Sequence, residues 1–150
     1  MISTAVIDPS FRKVAVAFQK GYIQINNIYS GSVLYNKTYE NLIDCGPQEI
    51  SSLAFFCKQT NFWIASTLWD GKVAFVQRPM RDKGSEILKH LKVTSSHAKD
   101  VTCIDITQTN NMATASIDNV IVFWNSFNGK EQKKVQLEPS MACKENGRVI

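Results

Sequence analysis

Apolar and polar positions exchange every second residue along short runs rich in β-branched and aromatic side chains, and helical periodicity is nearly absent. Ile2–Ile7, Val14–Phe18, Tyr22–Ile28 and Val33–Tyr39 form a first group of strand-like runs. Between them stand Asp8-Pro9-Ser10, Lys20-Gly21 and Ser30-Gly31, where proline fixes φ and glycine accepts positive φ. Ile50–Phe56, Phe62–Thr67 and Lys72–Gln77 form a second group, with Asp70-Gly71 as a hairpin turn. Val101–Ile106, Met112–Ser116, Val120–Trp124 and Lys130–Val135 form a third, turned at Asp118-Asn119 and Asn128-Gly129. Asp118 follows Asp70 by 48 residues, Gly71 follows Gly21 by 50, and Ile50 follows Ile2 by 48. The pattern predicts an all-β chain of three consecutive antiparallel sheets, each of about four strands, with the second strand of each group among the most buried segments.

Two stretches escape the pattern. Arg78–Ser96 is polar and charged, and Ile87, Leu88, Leu91 and Val93 within it fit either a short fourth strand or one helical turn. Residues 140–150 read as a mobile tail or as the start of a further element.

Composition narrows the chemistry. The 150 residues are 44% hydrophobic and 20% charged, as in an ordinary folded domain. Seventeen basic against 13 acidic residues give a net charge of +4, too mild to imply nucleic acid. Lys83, Lys89, Lys92 and Lys99 do thicken one segment, either as a solvated loop or as a patch for an acidic protein surface. No run of about 18 apolar residues predicts a membrane helix. The N-terminal residues lack the basic and apolar regions of a signal peptide, so a cytoplasmic location is expected. Cys45, Cys57, Cys103 and Cys143 show no C-x-x-C spacing and no paired histidines, which argues against zinc and against a disulfide framework. Phosphate-binding glycine motifs are absent, and Glu40, Asp44 and Glu49 form no acid–base or metal pattern. No cofactor and no metal are expected.

One window carries more. His97-Ala98-Lys99-Asp100-Val101-Thr102-Cys103 leads into Met112-Ala113-Thr114-Ala115-Ser116-Ile117-Asp118-Asn119 and then Val120-Ile121-Val122-Phe123-Trp124. This order resembles one unit of a WD40 repeat, the four-stranded blade of a β-propeller. The resemblance implies that Trp124, Ser116, His97 and Asp118 form a buried chain: indole N–H to hydroxyl, hydroxyl to imidazole, imidazole to turn carboxylate. Each bond is worth about 1 kcal/mol net, and an orphaned member costs about 1–3 kcal/mol. The same residue types would serve a serine hydrolase, but Ser116 lies between Ala115 and Ile117 rather than in a G-x-S-x-G elbow. The expectation is a structural brace, and no enzyme.

Under the same resemblance, the repeats at about 1–40 and 48–96 are weaker copies of the one at 97–137. The second keeps Asp70-Gly71 but places Leu68 where the third has Ser116, and Pro47-Gln48 where the third has its histidine. The first keeps Gly21, with Lys20 at the aspartate position and Asn26 at the tryptophan position. Trp63 reads as core and His90 as solvated. Trp69, just before Asp70, reads either as an interaction anchor or as packing against the neighbouring blade.

Propellers close with about four to eight blades. Residues 1–139 therefore read as a partial propeller of three WD40-type blades, to be completed by another chain or by more of the same polypeptide. The stretch His97–Cys103 is also similar to a segment of WD-repeat proteins of motile cilia, some of which carry EF-hands. With it go Asn61–Ala65, Trp69-Asp70-Gly71 and the charged insert before the histidine. No EF-hand loop occurs here, so calcium is not carried over. The resemblance implies a non-enzymatic protein–protein interaction scaffold of the ciliary axoneme, with microtubule or axonemal proteins as partners and no membrane. The alternatives are a WD40 adaptor in RNA processing or ubiquitin ligation, and the hydrolase of Ser116, His97 and Asp118.

Overall fold

A computed structural model of the chain describes residues 1–38, 49–58, 61–78, 91–107, 109, 111–126 and 128–138. Its twelve strands form three separate four-stranded antiparallel meanders, each in sequence order. The first sheet contains β1 (Ile2–Ile7), β2 (Lys13–Phe18), β3 (Tyr22–Asn27) and β4 (Val33–Thr38). The second contains β5 (Ile50–Lys58), β6 (Asn61–Leu68), β7 (Lys72–Arg78) and β8 (Leu91–Ser95). The third contains β9 (Val101–Ile106), β10 (Asn111–Ser116), β11 (Val120–Asn125) and β12 (Lys130–Gln136). A three-residue 3-10 turn, Gln19–Gly21, is the one helical element among the described residues. Leu91 and Val93 of the insert thus belong to a fourth strand; Ile87 and Leu88 lie outside the described residues, as does the stretch 139–150.

The alternation of each strand decides which neighbour it meets. On the second sheet, Leu53, Phe55, Ile64 and Ala74 join Ala15, Ala17, Ile23 and Ile25 of the first in one core. From its opposite face, Ala54, Ala65, Val73 and Phe75 join Ile104, Met112, Val122 and Trp124 of the third in another. The inner strands line up across the sheets, β1 against β5 and β5 against β9. Among the described residues, only the second sheet is covered on both faces. Its strand β6 is accordingly buried from Ile64 to Leu68, whereas β2 and β10 alternate buried and half-buried positions. The second strands are among the more buried of their sheets, as expected, with β6 buried on both faces and β2 and β10 on one.

A regularity that the sequence reading missed sits at the start of each first strand. The register skips Ser3 between Ile2 and Thr4, Ser51 between Ile50 and Ser52, and Thr102 between Val101 and Cys103. Each bulged residue carries a hydroxyl. Ser3 donates to the Ala17 carbonyl and Thr102 to the Ala115 carbonyl, both at 3.2 Å. Ser51 instead bonds the Val101 carbonyl of the next sheet, with Thr67 Oγ1 2.8 Å away. A bulge bends the strand and leaves one residue unpaired, and here its side chain bonds a neighbouring strand's backbone.

Candidate functional site

The third sheet encloses a polar chain. Met112 pairs with Trp124 across β10 and β11, and Thr114 pairs with Val122, so Thr114 lies diagonally beside the indole on one face. Trp124 Nε1 donates to Thr114 Oγ1 at 2.8 Å, and Thr114 Oγ1 stands 2.8 Å from His97 Nε2. The Asp118 carboxylate facing Nδ1 favours the histidine proton on that nitrogen, and Nε2 then accepts the Thr114 hydroxyl proton while the hydroxyl oxygen accepts the indole N–H. Nδ1 faces Asp118 Oδ1 at 3.6 Å, longer than a hydrogen bond, and it is buried with no other partner. Trp124 and Thr114 are fully buried and His97 is nearly so.

The structure corrects the expected hydroxyl. Ser116 is not in the chain: its Oγ donates to the Lys99 carbonyl at 3.2 Å and accepts the Asp118 N–H at 3.2 Å. It tightens the turn rather than touching the imidazole. Thr114 takes the place expected of Ser116, and Ser66 is its counterpart 48 residues earlier. Ser66 is buried, and its Oγ lies 3.5 Å from the Ala74 carbonyl.

Asp118 anchors the turn. Its Oδ2 accepts the Ala98 N–H and its Oδ1 the Val120 N–H, both at 2.9 Å. Partial burial works to raise its pKa, but these backbone donors, the Ser116 hydroxyl and His97 outweigh burial and hold it below the usual carboxylate range. For His97, burial is the largest influence and pushes the imidazole below its ordinary pKa; the Asp118 charge opposes this without offsetting it. The ring is neutral near pH 7. A second carboxylate, Asp8, braces the β1–β2 turn in the same manner, accepting from Ser10 Oγ and the backbone N–H groups of Arg12 and Lys13. The signal for it was present in Asp8-Pro9-Ser10, which the sequence marked only as a turn.

The turn glycines differ in what they do. Gly71 has φ +81°, and a Cβ there would meet the His97 carbonyl oxygen at 2.6 Å and that of Lys99 at 3.1 Å. The second sheet's hairpin therefore lies directly under the segment that carries His97. Gly21 also has positive φ, +71°, and is buried. Asp70 pairs with Lys72 at the rim. Trp69 is 44% exposed, with its backbone N–H on the Glu49 carbonyl at 3.3 Å. Lys83 and Lys89 lie outside the described residues; Lys92 is on β8, paired with Phe75, and only its backbone is described.

A hydrolytic triad needs the imidazole on a reachable nucleophile. His97 Nε2 is instead on Thr114, which is 1% exposed, and Ser116 is engaged elsewhere. Among the described residues no three His, Cys, Asp or Glu side chains gather as a metal site, and no helix is long and apolar enough to cross a membrane.

No family model and no curated protein matches the chain in sequence. Solved structures match its fold. The WD40 repeats of RRP9 superpose with a TM-score of 0.72 at 15% identity, over 89% of this chain and 38% of that one. The chain folds as WD40-type propeller blades. The structure of U3-55K matches with a TM-score of 0.74 at 14% identity, covering 92% of this chain and 40% of that one. A chain of the mitotic checkpoint complex matches with a TM-score of 0.67 at 11% identity, covering 93% and 38%. The WD40 unit thus spans about two-fifths of the length of these structures, and its three blades do not close.

Proposed function

We propose that this chain is a non-enzymatic protein–protein interaction scaffold, that further protein completes its propeller, and that it serves in the ciliary axoneme. The observation that carries the scaffold reading is the use of His97, Thr114, Trp124 and Asp118 as an internal brace. The residues that could do chemistry hold strands together, and the uncovered outer blades are what remain to meet another molecule. The axonemal placement rests on the likeness of His97–Cys103 to WD-repeat proteins of motile cilia. Trp69 and the lysines at 83, 89 and 92 are the proposed partner contacts, the lysines facing acidic surfaces such as tubulin.

A second reading is an adaptor in another assembly, cytosolic or nuclear. It is favoured by the likeness to a chain of the mitotic checkpoint complex, itself a multiprotein structure. Expression of a tagged full-length protein in a ciliated cell separates the two. Retention in the detergent-insoluble axoneme is expected, and residence in a soluble nuclear complex would move it to the second reading. Labelling of Ser116 by a serine-reactive fluorophosphonate would overturn both.

A further inference from the structure

The three sheets are blades 1 to 3 in chain order. Among the described residues, the two cores between them consist of strand residues alone. The outward faces, with Gln24 and Asn26 on blade 1 and the exposed Phe123 on blade 3, are left to the protein that completes the propeller. Neither accounts for the apolar side chains at one end of blade 1. Phe11 is 70% exposed in the β1–β2 turn, and Ile28 and Tyr29 are 40% and 81% exposed in the β3–β4 turn. The two turns are joined, because the Ile28 N–H donates to the Arg12 carbonyl at 3.0 Å.

Both turns are fixed. Besides the carboxylate brace of Asp8, the Asp8 carbonyl accepts the Phe11 N–H at 2.9 Å. Asn27 Oδ1 accepts the N–H groups of Tyr29 at 2.9 Å and Ser30 at 3.0 Å. Phe11 is held at φ +56°, a left-handed conformation that suits glycine or asparagine and strains a bulky aromatic residue. The turn itself does not demand that residue. In blade 3 the Thr107 N–H bonds the Asn111 carbonyl as the Asp8 N–H bonds that of Lys13, and that turn is held by hydrogen bonds among Thr107, Thr109 and Asn111. Phe11 is thus strained and in water at once, and both costs are offset only when something covers the ring. Beside it Arg12 is exposed and makes no ion pair among the described residues, while the Asp8 carboxylate is buried in its own turn. This end of the blade presents positive charge next to apolar surface.

We propose that the two turns, through Phe11, Arg12, Ile28 and Tyr29, bind an extended acidic segment of another protein, which lays apolar side chains on Phe11 and Tyr29 and a carboxylate on Arg12. Aromatic and arginine side chains on a fixed backbone make the strongest anchors of such contacts, since little order is lost on binding. A bilayer fits less well: juxtaposed anionic lipid is held by clusters of about four to eight cations, and these turns supply Arg12 and Lys13. The proposal rests on the scaffold reading and adds a contact surface apart from Trp69 and the lysines at 83, 89 and 92.

The probe is a phage library of random dodecapeptides selected on the full-length protein. Enriched peptides are expected to combine Asp or Glu with aromatic or aliphatic residues. They are expected to bind Phe11→Asn, Tyr29→Ser and Arg12→Glu at least about tenfold more weakly than wild type, as for loss of an anchor residue. Phe11→Asn separates binding from folding. Asparagine accepts the left-handed φ, so its melting temperature is expected to equal or exceed the wild-type value. A lower melting temperature would make Phe11 a packing residue and overturn the proposal. The absence of enrichment, enriched peptides without acidic residues, or equal binding to wild type and Phe11→Asn would overturn it too. Phosphatidylserine vesicles that pellet the wild type but not Phe11→Asn would assign the surface to a bilayer instead. Peptides lost only in Trp69→Ala would remove this surface and leave the scaffold, whereas a full-length protein that also sediments alone from native lysate would remove the scaffold reading with it.

Discussion

Thr114 and Ser116 show what one hydroxyl position can decide. Both lie on the same face of β10, two residues apart, so the period of the strand cannot choose between them. The choice is made by cross-strand register, which sets Thr114 diagonal to Trp124. No local pattern contains that information, which is why the sequence pointed to Ser116. Asp118, His97 and Trp124 were legible because turn chemistry and spacing mark them. Thr114→Val removes one acceptor and one donor, leaving the Trp124 N–H and His97 Nε2 unpaired in the interior. The expected cost is roughly 2–5 kcal/mol, against under about 1 kcal/mol for Ser116→Ala, measured by urea denaturation. Acid acts at the same place. His97, Asp118 and Asp8 all have pKa values below their ordinary ones. In each case the unfolded chain takes up a proton at a higher pH than the folded one. Stability is therefore full above about pH 6.5, begins to fall below it through His97, and falls further below about pH 4 as the aspartates protonate. A urea midpoint that does not move between pH 7 and pH 5 would refute the histidine assignment.

Eleven of the twelve strands were visible in the sequence as alternating runs, and their ends differ from the structure by a residue or two. The twelfth, β8, was undecided because Leu91 and Val93 follow a charged insert and do not by themselves distinguish a period of two from 3.6. The bulges were invisible for another reason: Ile2-Ser3, Ile50-Ser51 and Val101-Thr102 continue the strand in sequence, and only pairing with the second strand reveals the extra residue. Contacts between elements were equally hidden. Gly71 reads as a hairpin residue, yet it also sets the distance between blade 2 and the backbone of His97. Gly71→Ala is expected to cost roughly 2–3 kcal/mol, from a left-handed φ on a residue with a side chain and from collision with a fixed carbonyl. Thermal melts followed by tryptophan fluorescence would register it. An unchanged melting temperature would mean that the segment at 97–99 can yield.

At the scale of the whole molecule, blade 2, the second sheet, is the only one covered on both sides among the described residues. Apolar burial contributes about 25 cal/mol per Å², and a domain's net stability is only about 5–15 kcal/mol. Residues 1–150 alone are expected to melt broadly or to self-associate, as read by light scattering and calorimetry. A sharp melt from a clean monomer would show that three blades suffice. The contrast between the two outer faces also has a consequence for birth at the ribosome. Blade 1 is translated before blade 3, and domains of a growing chain fold roughly in the order they emerge. Its outward side, where Tyr22 donates to Gln24 and Gln24 to Asn26, offers a passing chain little to grip during that interval. The side with the exposed Phe123 follows it. Within this stretch the less adhesive side is therefore made before the more apolar one, which appears only when three blades are in hand, a built-in delay against pairing with the wrong neighbour.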